Sequence, residues 1–202
     1  RYAIIFVKCF FYWGLICNIA YRDTQYNKMK TQNQHLKAQD VVILLKIVSD
    51  NNPAWNQKKL AGELGLSQSE VSEAVSRCKY SGLLATDGKS VMKHALLEFL
   101  KFGLRYVFPQ KPGAFVRGVP TSHSASPLKE EIQSNEVYVW PYGKGTVKGF
   151  SILPLYSSVP EAALRDTKLH ELLALTDALR VGRAREREIA IFELNKRFEL
   201  GK

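Results

Sequence analysis

NQKKLAGELGLSQSEVSEAVSRCKYS, residues 56 to 81, is the stretch on which the reading of this chain turns. Leu60, Ala61 and Leu64 give a first helix its apolar stripe, and Ala61 is small where two helices would cross closely. Gly65 follows at a position where a left-handed backbone is commonly needed, and Leu66 plugs the turn. Ser67 then stands as N-cap of a second helix, with Glu70 three residues on to complete a capping box. Val71, Val75 and Cys78 recur at helical spacing and predict a core-facing stripe. The other side carries Gln68, Ser69, Ser72, Glu73, Ser76 and Arg77, all able to hydrogen-bond to base edges. A helix that buries a thin stripe and presents small polar groups opposite it suits a major groove. Two short amphipathic helices around a glycine also occur in bundles and enzyme cores, so the neighbouring sequence matters.

Those neighbours extend the pattern. Residues 38–50 (AQDVVILLKIVSD) predict a preceding support helix with Val41, Leu44, Leu45 and Val48 on one side, ended by Asn51, Asn52 and Pro53. Trp55 is expected to pack over the next helix. Beyond the second helix, Gly82 can serve as C-cap, and Asp87-Gly88 between two short strand-like runs is a hairpin signal. Lys89 at that tip is within reach of a phosphate. Over about Leu36 to Met92 the chain resembles the winged helix-turn-helix of bacterial MarR-like regulators. That resemblance implies duplex DNA as ligand, a dimer, and an operator of two half-sites about one helical turn apart. Base reading then falls to Gln68, Ser69, Ser72, Glu73, Ser76 and Arg77, and phosphate contact to Lys58, Lys59, Ser67, Lys79 and Lys89.

The 202 residues carry a formal net charge of +10, a surplus that favours a polyanionic partner. Residues 1–28 hold four basic and one acidic side chain, so +7 belongs to the rest. Within residues 36–92, however, seven Lys or Arg face six Asp or Glu. The reading head is nearly neutral, and other parts of the chain must supply much of the attraction to phosphate. Cys9, Cys17 and Cys78 show no paired spacing, and His35, His94, His123 and His170 form no metal-ligand pattern. These counts argue against a disulfide framework or a zinc site and point to a reducing, cytoplasmic setting, with no metal and no cofactor.

Residues 1–21, RYAIIFVKCFFYWGLICNIAY, are apolar enough to approach transmembrane length. A membrane anchor, an apolar arm buried against the domain, and upstream sequence outside the native product all fit. The last is preferred, because the chain begins at Arg1 and Met29 opens a polar stretch suited to a domain start. Residues 29–108 form the DNA-binding domain in this division, ending in a helix from Lys93 with Leu96, Phe99, Leu100, Gly103 and Val107 on one side. Pro109 halts it.

Residues 109–135 are rich in Pro, Gly and Ser and read as a functional or mobile loop. Within it, Thr121-Ser122-His123-Ser124 offers a nucleophile beside a base, but neighbours on an extended strand point to opposite sides and no nucleophile elbow is present. Residues 136–202 are expected to form a smaller domain. EVYVW (136–140) and GTVKGFSIL (145–153) predict a β-hairpin with Val137, Val139, Val147 and Ile152 buried. Its Tyr138, Trp140 and Phe150, with Lys144 and Lys148, either pack the hairpin or stack on unpaired bases. Ser158 to Glu161 reads as a capping box opening leucine-rich C-terminal helices that offer a dimerisation or docking face. Arg117, Arg180, Arg183, Arg185 and Arg187 are candidates for contact with phosphate or an acidic partner, or else for a solvated helix surface.

The expected fold is thus α+β, mainly α, and the expected function is sequence-specific DNA binding as a dimeric repressor. The alternative is an antitoxin or adaptor that binds a co-encoded protein through its C-terminal part and uses the DNA head for autoregulation. An enzyme acting on nucleic acid is disfavoured by the lack of a phosphate-binding glycine loop, a metal cluster or a convincing carboxylate pair in the sequence.

Overall fold

A computed structural model of the chain describes residues 34–199, and the apolar segment within residues 1–28 lies outside the described residues. The described chain is α+β and mainly helical. Helices α1 (Ala38–Asp50), α2 (Gln57–Leu64) and α3 (Gln68–Tyr80) come first, followed by an isolated β-bridge between Leu84 and Val91. Helix α4 (Lys93–Glu98) runs through a π-helical turn, Phe99–Gly103, into α5 (Leu104–Val107). Then come β1 (Phe115–Pro120), a 3₁₀ turn at Ser122–Ser124, α6 (Leu128–Glu131), β2 (Tyr138–Pro141) and β3 (Val147–Ser151). Helices α7 (Val159–Arg165), α8 (Thr167–Val181) and α9 (Ala184–Arg197) close the order.

Two helices are deeply buried. Every residue of α1 from Asp40 to Val48 lies inside, as do Leu169 and all of Leu172 to Arg180 in α8, and the two pack against each other. One apolar core runs from Val41 through Leu64, Val75 and Leu104 to Leu179 and Leu194. The C-terminal elements therefore share a core with α1–α3 from Leu36 onward, where the sequence suggested a separate smaller domain. Of the expected docking face, Leu169, Leu172, Leu173 and Leu179 are consumed by that core, and Leu164 stays exposed. Burying α1 completely requires its ions to be paired. Lys46 Nζ lies 2.7 Å from carboxylate oxygens of both Asp50 and Asp166 and 3.2 Å from Glu63. Burial pulls the ammonium pKa down, and the three carboxylates more than reverse this, so the net direction is up.

The π-helical turn changes which residues face inward. A pure α-helix from Lys93 places Gly103 and Val107 below Phe99 and Leu100. The extra residue in the π turn moves the buried position on by one. Leu104 is fully buried, and Val107 rotates out to 52% exposure.

The strands also differ from the expected hairpin. Residues 136–140 and 145–153 do contribute β2 and β3, but these pair in parallel, Tyr138 with Phe150 and Val139 with Ser151. Strand β1, drawn from the predicted loop, pairs antiparallel with both, so each strand touches the other two in a small closed barrel. Glycine makes this closure possible. A Cβ on Gly118 would lie 1.9 Å from the Trp140 carbonyl oxygen, and one on Gly149 would lie 2.4 Å from that of Val137. The Pro- and Gly-rich composition that suggested a loop is what lets the backbones approach. Strand β2 is consequently buried on both faces: Tyr138 and Trp140 are inside, together with Val139.

Ser158 does not cap α7. Its hydroxyl donates to the Leu64 carbonyl at the end of α2, tying the C-terminal half to the α2–α3 turn.

Candidate nucleic-acid interface

The two helices of the opening stretch form as their sequence dictates. Asn56 caps α2 by accepting from the Lys59 N–H at 2.8 Å. Gly65 ends it in the left-handed region at φ +65°. The Ser67 hydroxyl accepts from the Glu70 N–H, and the Glu70 carboxylate accepts from the Ser67 N–H at 2.9 Å. Tyr156 adds a hydroxyl donor to that carboxylate at 3.0 Å. The Ser67 N–H and hydroxyl, then Tyr156, hold the Glu70 carboxyl below the usual range. The turn is thus fastened to the helix it precedes and to the C-terminal half.

Val71, Ala74, Val75 and Cys78 face the core, and burial pushes the Cys78 thiol up to about 12. The outward side of α3 presents Gln68, Ser69, Ser72, Glu73, Ser76 and Lys79, all exposed. Ser67 is exposed too, but its hydroxyl is engaged in the cap and also donates to Glu70 Oε2 at 2.7 Å. Tyr80, 71% exposed and one turn beyond Ser76, joins this face. It escaped the sequence reading, although its i, i+4 spacing from Ser76 was available as a signal.

Arg77 does not belong to the face. It is 4% exposed, and its Nε and Nη2 each donate to Asp40 at 2.8 Å in a two-pronged pair between α3 and α1. The Asp40 carboxylate raises the arginine's pKa further. Spacing counted Arg77 with the polar side, and nothing local revealed an acid thirty-seven positions earlier waiting for it.

Among the phosphate candidates, Lys58 and Lys59 are exposed at the start of α2. They line an open cleft of about 980 Å³ that also gathers Arg165 and Lys168 from the α7–α8 junction, cations that sequence order alone could not bring near them. Lys89 is exposed but folds back over Trp55: its Nζ donates to the Trp55 carbonyl at 2.7 Å and sits 4.6 Å from the Trp55 ring centroid. The Trp55 indole N–H returns a bond to the Lys89 carbonyl. The turn between Leu84 and Val91 is held by Asp87, which accepts from the N–H groups of Lys89 and Ser90, contacts that lower its carboxyl pKa.

The arginines singled out further along divide. Arg180 is buried, with Nη1 donating to Asp177 at 2.6 Å and Nε to the Phe108 carbonyl at 3.1 Å. Asp177 also accepts from Thr121 at 2.9 Å and from the Trp140 indole at 2.6 Å, so it knots α8 to β1 and β2. Arg180 is therefore a packing residue. Arg117, Arg183 and Arg185 are exposed and Arg187 is half-buried, at separate places along the chain. Thr121, Ser122 and His123 are all buried, at the start of the 3₁₀ turn.

Among the described residues, no group of three or more His, Cys, Asp or Glu is placed to hold a metal ion. No helix among them is long and apolar enough to cross a membrane. No protein-family model, curated protein or solved structure matches this chain.

Proposed function

We propose that this protein is a sequence-specific duplex-DNA-binding regulator, a dimeric repressor, whose α2, α3 and 84–91 turn act as a winged helix-turn-helix. One observation carries this reading. The outward side of α3 is an uninterrupted polar strip, Gln68, Ser69, Ser72, Glu73, Ser76 and Lys79, on a helix locked at its start and packed behind. Such a strip presents donors and acceptors of the kind that base edges require. With Arg77 withdrawn to Asp40, base reading falls to Gln68, Ser69, Ser72 and Ser76, and Lys79 with Lys58 and Lys59 supplies phosphate contacts. The 84–91 turn is short and its lysine is folded back, so the wing serves α3 as a brace. A dimer would set two copies of α3 on half-sites about 34 Å apart.

Selection of bound fragments from a random duplex pool tests the proposal. Enrichment of a palindrome with half-sites one helical turn apart supports both specificity and the dimer. A pool that stays random after repeated rounds overturns it.

A further inference from the structure

We propose that the outer face of the β1–β3 pair is a stacking platform for single-stranded nucleic acid. Phe115 and Phe150 lie directly opposite one another in the register. Their ring centroids are 5.6 Å apart at 77°, and they stay 62% and 37% exposed. Two residues along each strand, on the same side, Arg117 lies opposite Lys148, and both are exposed.

The ring pair steadies the two strands, but it leaves most of Phe115 in water, and the facing cations work against the fold because like charges directly opposite on a sheet repel. Together they make an exposed surface that is aromatic and positive. The strands themselves keep it so: residues 115–120 and 144–151 contain Arg117, Lys144 and Lys148 and no Asp or Glu, while Glu130, Glu131 and Glu136 lie in the connection before β2. Behind it, Gly118 and Gly149 pack tightly against neighbouring backbone, which holds the face rigid.

A ligand matched to this face is a polyanion with accessible flat apolar faces. Duplex bases are already stacked on each other, whereas an unpaired strand can lay bases on Phe115 and Phe150 and its phosphates on Arg117 and Lys148. An acidic peptide would satisfy the cations without using the rings. The platform lies on elements other than α3 and does not depend on the regulator reading. It also answers the near-neutral charge of residues 36–92 by placing the positive surface elsewhere.

Fluorescence anisotropy of the full chain with labelled oligo-dT, oligo-rU and a random-sequence duplex tests this. Binding to an unpaired strand is expected, and the stronger of the first two arms names its source as DNA or RNA. Replacing both rings (Phe115→Ala with Phe150→Ala) should weaken that binding about ten-fold or more. The Leu pair at the same positions, which keeps apolar bulk on the strands, should weaken it too. Arg117→Gln with Lys148→Gln should lower affinity and flatten its salt dependence. Changes on α3 should leave these values alone. Absence of binding to either unpaired strand overturns the proposal. So does unchanged affinity in the ring variants with native circular dichroism, or poly-glutamate binding in place of the oligonucleotides. Oligonucleotide binding without duplex selection would sink the regulator reading and leave the platform standing.

Discussion

Arg77 illustrates how a single residue can mislead when only its own helix is in view. Its spacing is compatible with a polar face, yet it is committed to Asp40 in the interior, where each ion is tolerated because of the other. Arg77→Ala should therefore destabilise the fold by about 3–5 kcal/mol, measured by urea denaturation, because it strands a buried carboxylate. Arg77→Met combined with Asp40→Ala should cost clearly less than the two single changes summed. A single variant of wild-type stability would mean that the pair is not formed. Lys46 and Asp166 give a pH-dependent counterpart. For Asp166, burial raises the carboxyl pKa, but the bonds from Lys46 and the Leu169 N–H outweigh this and leave it below its ordinary 3.8. A folded pKa below the unfolded one means stability that is present above pH 3.8 and lost as pH falls through the folded value. Asp166→Asn should thus lower Tm at neutral pH and flatten the fall in Tm as pH drops from about 5 to below the ordinary carboxylate value. Parallel Tm curves for variant and wild type would contradict this. Ser67, Glu70 and Gly65 were legible because their capping partners lie within a few residues; Arg77 and Lys89 were not, because Asp40 and Trp55 lie far along the chain. Arg180 pairs with Asp177 only three residues away, but its burial depends on the distant Phe108 and Leu153 carbonyls that also hold it.

Helices and strands were legible to different degrees. The spans of α1, α2 and α3 follow from apolar periodicity and caps, signals that a local window contains. The frame of the Lys93–Val107 helix was misplaced after Phe99, since a π turn answers to packing around Leu100 and Leu104 and leaves no mark in spacing. Pairing of β2 with β3 was misjudged for a related reason. A short polar connection favours a hairpin, but β1 competes for both strands and prevails because glycine lets it come closer. Gly118→Ala should therefore do more than remove conformational freedom. Its methyl would enter the space of the Trp140 carbonyl, and the barrel should lose more than about 3 kcal/mol, or fail to form. Thermal unfolding monitored by circular dichroism checks this; a variant melting with wild type would show that β1 does not hold its assigned register.

At the scale of the whole molecule, the continuity of the core sets what can be separated. Helix α1 supports α2 and α3 and packs against α8, so the α2–α3 pair borrows its foundation from the C-terminal half. Residues 29–108 alone should lack cooperative unfolding, and residues 29–202 should melt in one transition. A sharp melting transition in the shorter piece would contradict the shared core. Sequence alone suggested two domains because the Pro- and Gly-rich stretch marks a boundary in composition, whereas burial of α8 by α1 is a relation across more than one hundred residues. The outward strip of α3 is proposed to read duplex DNA, and selection from a random duplex pool with Gln68→Ala and with Ser72→Ala beside the wild type puts this to the test. One enriched site is expected for the wild type, with relaxed preference at a defined base pair in each variant. Identical enriched sites from all three proteins, or enrichment from none, would contradict it.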